Sequence, residues 1–470
     1  MLNNVVKKRL DIIRDHYDTI NDLTKSARIY RKMLAHYYSR IIPPDSSVLE
    51  VGCGDGELLA HLSNRDVTGV DLSEKQVKKA REKIPYGMFY FQAGEILNIS
   101  RTYDYIILSD TINQAADVQT LLSAALKHSH SGTRLILNFF SSLWRPFINL
   151  ATILGMRHKS PTSNWLSTKD VKNLLELSGW QVIKFQPRII CPVQCFGFER
   201  LLNRLLAPLF SWLCLSVFCV ALPWSERVIN RTFSVSVIVP ARNEAGNIEE
   251  AVLRIPQLGR KTELIFVEGH SHDITWREIK RVKAKYPDRE IKILQQTGEG
   301  KGNAVREGFS AASGDILMVL DADLTTPPEE LPKFYDVLAS GHAEFANGVR
   351  LVYPMEEKAM RFLNMIGNKL FCIIFSWILN QPVKDTLCGT KALFKHDYDN
   401  IVINRNYFGE FDPFGDFDLI FGADKMNLKI VDIPIRYQER HYGDTNIKRW
   451  RHGWLLLKMV IFGACKLKFI

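Results

Sequence analysis

Short apolar runs alternate with helical spacings twice along the chain. The first series is "SVLEVGC", "RDVTGVD", "GMFYFQA", "DYIILSD" and "RLILNFF", from residue 47 to residue 140. Strands punctuated by helical patterns predict βαβ units and a mainly parallel sheet. A helical pattern over residues 4–40 precedes the series. After it, "LSTKDVKNLLELSGWQVIKFQPRIICP" reads as a helix and two strands, closing a first domain near residue 225. The second series opens at "FSVSVIVPARNE" and continues through "ELIFVEG", "IKILQQT" and "DILMVLDAD". Its last run ends on Asp321 and Asp323. Strand alternation would point both carboxylates one way and Ala322 the other, so a positive group is expected beside them. Thr326 with Glu329 predicts a capped helix start immediately after, and Asn247 with Glu250 predicts another earlier in the series.

Between the two series lies "LLAPLFSWLCLSVFCVAL", residues 205–222, without a charge. Its length admits a membrane crossing. Pro208 interrupts it, however, and "LCLSVFCVAL" has the β-branched and aromatic content of a buried strand. A packed or membrane-grazing element is the expectation.

Composition narrows the class. The chain has 470 residues, 46% hydrophobic and 24% charged, enough for two or three globular domains. Its eight cysteines are scattered, without CxxC pairs, which suits a reducing compartment. The start, "MLNNVVKKRLDIIRDHYD", is charged and helical, unlike a signal peptide. Net charge is +10, and residues 441–470 hold six Lys/Arg against one Asp. That tail also carries "WLLLKMVIFGACKLKFI". Large apolar residues interleaved with lysines favour an interfacial helix on an anionic membrane over nucleic-acid binding.

In the first domain, Gly52, Gly54 and Gly56 follow a strand and precede a helix, and Glu57 stands where a dinucleotide loop needs its last glycine. Asp71 ends the next strand, where a carboxylate can accept both hydroxyls of a ribose. Glu50-x-Gly52-x-Gly54-x-Gly56 with Asp71 resembles class I S-adenosylmethionine-dependent methyltransferases, over roughly residues 30–190. The resemblance implies that the glycine loop and helix N-terminus hold the methionyl part and Asp71 the ribose. Ala93 stands where that family usually has an acid for adenine, with Glu95 nearby. Ser109, Asp110 and Asn113 would face the acceptor, and Trp144 and Trp165 would wall it.

In the second domain, "VIVPARNEAGNIEE", "FVEGHSHDIT", "GEGKGNAVREG" and "LDADLTTPP" each sit at the carboxyl end of a strand, where open α/β sheets bind ligands. Lys301 is followed by Gly302, so "GEGKG" is a basic loop and not a Walker loop. The series resembles GT-A glycosyltransferases of family 2, over roughly residues 233–440, most of all the dolichyl-phosphate mannosyltransferase type. The resemblance implies that Pro240, Ala241, Asn243 and Glu244 shape the nucleotide pocket, that Glu268 contacts the base, and that Lys301 meets the phosphates. Asp321 and Asp323 would form a DxD motif holding Mg²⁺ or Mn²⁺ against the diphosphate of a nucleoside diphosphate sugar. Asp385 and Lys391 of "DTLCGTK", with Arg436, Arg440, Lys448, Arg449 and Arg451, would serve a polyprenyl phosphate or other lipid-linked acceptor. "MIGNKLFCIIFSWILNQ" would dip into the membrane. Thr325 replaces a frequent metal-ligating Gln, and Lys391 a frequent Arg. A sugar-hydroxyl acceptor would instead need a general base, for which Asp416 and Asp418 are the candidates.

The expected architecture is therefore α/β: two Rossmann-like domains, a class I methyltransferase fold followed by a GT-A fold, with membrane-associated helices near the C-terminus. The boundaries are an N-terminal helical segment, 1–45, then 46–225, 230–440 and a basic amphipathic tail, 441–470. The expected protein is a bifunctional transferase, cytoplasmic and peripheral or monotopic on the cytoplasmic face of the membrane. The alternative is a glycosyltransferase acting on a polysaccharide hydroxyl, docked by a non-catalytic methyltransferase-like module.

Overall fold

The computed structural model describes residues 4–19, 24–156, 158, 160–161, 163–224, 232–353, 362–404, 415, 417–440, 442 and 449–470. The chain divides into two compact units, with the boundary at Ser225 and Glu226.

The first unit holds seven strands: β1 Val48–Val51, β2 Val67–Asp71, β3 Met88–Phe91, β4 Tyr103–Ser109, β5 Ser129–Phe140, β6 Trp180–Ile189 and β7 Ser216–Pro223. Their order is β3-β2-β1-β4-β5-β7-β6. The first five are parallel, and β7 runs antiparallel to both β5 and β6. Successive residues of β4 feed opposite faces: Tyr105 and Ile107 enter one core, Ile106 and Leu108 the other. Helices cover both faces, as buried parallel strands require. The expected helical stretch 4–40 forms two helices, Asn4–Thr19 and Lys25–Ile41.

The uncharged stretch 205–222 ends in β7, which is buried along almost its whole length. No helix among the described residues is long and apolar enough to cross a membrane. One expectation fails here. The two strands expected after the helix Thr168–Leu177 are a single strand, β6. β6 contains Pro187 and lies at the sheet edge, where a residue without an N–H is tolerated. The chain absorbs it as a register shift between Pro187 and Ile189.

The second unit holds β8 Ser234–Ala241, β9 Lys261–Glu268, β10 Glu290–Gln295, β11 Ile316–Val319, β12 Phe345–Val349, β13 Lys391–Phe394 and β14 Ile430–Pro434. Their order is β10-β9-β8-β11-β13-β12-β14, with β13 antiparallel to its neighbours β11 and β12. Val235, Val237 and Val239 of β8 pack on one side of the sheet and Ile238 on the other. The helix Phe362–Leu379 buries Phe375, Ile378 and Leu379 and leaves Leu370 and Ile373 exposed.

Neither expected capping box forms. Asn247 precedes its helix, but its Nδ2 donates to Glu244 Oε2 at 2.8 Å. Thr326 is buried, and the helix Leu331–Ala339 begins later, after one tight turn at Pro328–Glu330. Glu329 accepts from Arg254 Nε at 2.8 Å instead. In both places a partner distant in sequence or outside the box outbids the local pattern.

Candidate functional site

β11 stops at Val319, so Asp321 and Asp323 lie on a turn beyond the strand and not on a strand face. Leu324 closes that turn with its N–H on Asp321 O at 3.1 Å, in the left-handed region at φ 53°. A leucine there stores roughly 1–2 kcal/mol of backbone strain. Each carboxylate meets its own cation. Lys301 Nζ lies 2.6 Å from Asp321 Oδ1. Arg440 Nη2 lies 2.5 Å from Asp323 Oδ2, while Thr325 holds Asp323 Oδ1 through its N–H at 3.1 Å and its hydroxyl at 2.8 Å. Burial works to raise the Asp321 carboxyl; Lys301, then Lys391 and Arg350, outweigh it and hold it below the ordinary range.

Three loops converge beside this pair. Asn243, at φ 57°, donates its N–H to Ser271 Oγ at 3.0 Å and accepts from His272 N at 2.8 Å. Glu244 N donates to Thr275 Oγ1 at 2.9 Å. Arg440 Nη1 lies 3.4 Å from Glu244 Oε1. Burial pushes the Glu244 carboxyl up to about 7, against the pull of Arg440 and helped by Asp323. Glu268 is buried at the end of β9 and accepts from Ser271 N at 2.5 Å. Pro240 and Ala241 end β8, and Ala241 O receives Gly269 N at 2.9 Å. Gln296 Nε2 spans to Gly300 O at 2.8 Å, tying the Lys301 loop to its neighbour.

Other expected residues sit elsewhere. Asp385 has no exposed surface. Its two oxygens form a fork with Arg350 (Nε 2.7 Å, Nη2 2.9 Å) and also accept from Asn368 Nδ2 at 2.9 Å. A ligand cannot reach it. Lys391 is also fully buried; its ammonium donates to Cys388 O. Lys391 reaches the site through its charge, which helps hold the Asp321 carboxyl down. Arg436 is exposed just beyond β14. Asp418 is buried within the helix Phe417–Lys425. Asp416 and Lys448 lie outside the described residues, as do the side chains of Arg449 and Arg451.

Gly389, inside "DTLCGTK" but not among the expected site residues, borders the carboxylate pair. A Cβ there would overlap Asp321 Oδ2 and Lys301 Nζ and lie 2.7 Å from Asp321 Cγ. The absent side chain makes room for the Asp321–Lys301 pair.

The donor set suits a hard divalent cation. It consists of carboxylate oxygens, with no cluster of three or more His, Cys, Asp or Glu among the described residues. Mg²⁺ or Mn²⁺ held by one or two carboxylates takes its remaining ligands from phosphate and water. Thr325, spent on Asp323, does not extend the set.

The first unit encloses a cavity of about 600 Å³ at the carboxyl ends of β1, β2 and β4. Gly52, Gly54 and Gly56 line or border it at φ 82°, 53° and 74°. Asp71 accepts from Gly54 N at 2.8 Å and Ser73 N at 2.9 Å, one to each oxygen. Ser109 lines the cavity at the end of β4. Glu50 is buried in the same wall, and its Oε2 has no hydrogen-bond partner. Burial pushes the Glu50 carboxyl well up, Arg31 opposes this, and Asp71 and Asp55 add to it. The N-terminal helices supply Leu10, Ile13, Tyr17, Tyr30 and Arg31 to the lining, a contribution their amphipathic pattern did not announce.

Several expectations change. Glu95 accepts from Ala116 N at 3.0 Å and Asp117 N at 3.4 Å, so it braces a loop while lining the cavity. The helix after Gly56 is only Glu57–His61, too short for its dipole to hold a carboxylate; Arg28, Arg31 and Lys79 provide positive charge around the cavity instead. Asn113 is buried and bonded to Asn164 O at 3.1 Å. Trp144 donates to Leu213 O at 2.8 Å, and neither it nor Trp165 lines the cavity. Asp110 does, at φ 57°, accepting from Asn138 Nδ2 at 2.6 Å.

The glycine loop yields a direct test. A Cβ on Gly52 would lie 2.9 Å from Thr111 Oγ1, at a φ that disfavours a side chain. Gly52→Ala should weaken S-adenosylmethionine binding by about tenfold or more in calorimetry. Gly155→Ala is the control: its φ is also positive, 70°, but its Cβ would meet nothing within 4 Å. Equal affinities in the two variants would remove the loop from the binding site.

Comparison with known proteins finds matches for both halves of the chain. A sequence model described as "Glycosyl transferase family 2" matches residues 236–403, and one described as "Methyltransferase domain" matches residues 26–184. A dolichol-phosphate mannosyltransferase of Pyrococcus furiosus is 31% identical over 220 residues, 46% of this chain and 59% of that protein. An undecaprenyl-phosphate 4-deoxy-4-formamido-L-arabinose transferase of Klebsiella pneumoniae is 25% identical, covering 45% of this chain and 62% of the relative. The chain thus spans less than two thirds of either relative. Among solved structures, glucosyl-3-phosphoglycerate synthase of Mycobacterium tuberculosis, in complex with Mn²⁺, UDP and its glucosylated product, aligns at 18% identity and a TM-score of 0.38, over 52% of this chain and 84% of that one.

Proposed function

We propose that this chain, a methyltransferase domain followed by a family 2 glycosyltransferase domain with distant homology to dolichol-phosphate mannosyltransferase, transfers a sugar from a nucleoside diphosphate to a lipid-linked phosphate. The observation that carries the reading is the Asp321–Asp323 turn at the carboxyl edge of the sheet, each carboxylate matched to one mobile-stemmed cation. Bound Mg²⁺ or Mn²⁺ would neutralise the charge that develops on the leaving diphosphate. Lys301 and Arg440, released from the carboxylates, would bind the phosphate oxygens. Glu268 and the Asn243 loop would hold the base and ribose. An acceptor phosphate is already an oxyanion, so no side chain need take a proton. One direct displacement at the anomeric carbon inverts its configuration. A polysaccharide hydroxyl would need a base, and the burial of Asp418 weighs against that alternative.

The first domain would transfer a methyl group from S-adenosylmethionine. The residues fit that ligand: the unpartnered Glu50 Oε2 matches an ammonium, Asp71 a ribose, and the basic side chains a carboxylate. The basic C-terminal segment supports a peripheral place on an anionic membrane. In the helix Arg449–Gly463, Leu456 and Met459 are buried while Trp454, Leu457 and Ile461 face outward.

A thermal-shift panel of UDP-, GDP-, dTDP- and CMP-sugars tests the donor reading. One base should raise the melting temperature of the second domain with Mn²⁺ and not with EDTA. A flat panel under both conditions would count against it.

A further inference from the structure

Two helical segments of the first domain turn their apolar faces outward. In the helix Arg145–Ile153 and its flanks, Leu143, Phe147, Leu150 and Leu154 are exposed at spacings of one helical face, and Ile153 beside them is 81% exposed. Between Phe196 and Leu213, the exposed residues Phe198, Leu201, Leu205 and Leu209 repeat that spacing, followed by Trp212 at 65%. A core-facing helix would bury such a stripe. The two segments adjoin: Trp144 Nε1 donates to Leu213 O at 2.8 Å. Their ends meet there, and each segment carries a row of exposed apolar residues rather than scattered ones.

Its charge identifies the occupant. The segments carry exposed Arg145 and Arg200. Their sole acid is Glu199, which is buried and accepts from Cys195 N at 2.8 Å and Gly197 N at 3.0 Å. An apolar face with indole rings and arginines, and without exposed carboxylates, suits the headgroup region of an anionic bilayer. The same elements border the cavity. Ile148 and Ala151 on the inner side of the first helix line it, as do Val193 and Leu215 flanking the second segment.

We infer that the first domain rests on an anionic lipid bilayer through this surface, with the cavity mouth at headgroup level, so that its methyl acceptor is borne by a lipid. The acceptor class rests on the methyl-transfer reading above.

Hydrogen-exchange mass spectrometry of the full chain tests it, using vesicles of phosphatidylcholine with phosphatidylglycerol. Exchange in peptides covering 143–154 and 196–213 should slow severalfold, and less with phosphatidylcholine alone. Ile153→Glu combined with Trp212→Glu should abolish that protection while leaving S-adenosylmethionine affinity unchanged, since neither residue lines the cavity. Vesicle binding without protection of these peptides would overturn the docking. So would protection that appears without vesicles and grows with protein concentration, which would mark a contact between copies. Calorimetry with S-adenosylmethionine runs on the same sample. No binding there would overturn the lipid-acceptor assignment and leave the docking result standing.

Discussion

Gly389→Ala is expected to lower sugar transfer by about a hundredfold or more while the melting temperature stays near that of the parent. The added methyl group cannot coexist with the Asp321–Lys301 pair, since its carbon would overlap one atom of each. Either the carboxylate turns away from the metal position or the 385–391 segment retreats from it. A displacement of about 1 Å in a catalytic group costs on the order of 10²-fold in rate. Gly389 is itself buried, but the atoms its Cβ would meet are the ends of an ion pair whose side chains are 31% and 30% exposed, so the strain falls on the pair. Single-turnover transfer rates and a melting curve on the same preparation check both halves. A variant that transfers normally would show that Asp321 is not held where the reaction occurs.

Asp385→Asn should do the opposite, destabilising the second domain through the stranded Arg350 charge. The change leaves Arg350 nearly buried without its counter-charge. Burial opposes the Arg350 charge, and Asp385 is what sustains it. Removing one partner of such a pair costs about 3–5 kcal/mol, or a fall of roughly 10 °C for a domain of this size. Arg350→Met combined with Asp385→Asn should recover part of the loss, because the stranded charge is gone. A single variant with a normal melting curve and no activity would instead restore Asp385 to the substrate site.

This contrast shows what local sequence can carry. Strands β1–β5 and β8–β11 were legible from apolar runs, and even β7 stood out in its uncharged stretch by its β-branched content; the short β12, β13 and β14 were not. The acidic tip of "LDADLTT" was legible too, because apolar runs seldom end on paired carboxylates without a purpose. The importance of "DTLCGTK" was visible but not its division of labour. Asp385 faces inward and Gly389 borders the carboxylate, and both facts depend on how the segment 385–391 meets Arg350 and Asp321, far away in sequence. The capping boxes misled because other partners took their residues: Glu244, three residues back, claims Asn247, and Arg254, 75 residues away, claims Glu329. The outward apolar face of 145–153 has the pattern of any amphipathic helix; only the fold shows which side it turns to solvent.

The central claim is that Asp321 and Asp323 bind the donor through a divalent cation. Isothermal titration of the nucleoside diphosphate sugar selected by the thermal panel, in Mn²⁺ and then in EDTA, tests it most directly, with Asp323→Asn alongside. Binding should weaken by about a hundredfold or more on metal removal and fail equally in the variant. Binding of equal strength in EDTA, or undiminished in Asp323→Asn, would contradict the account.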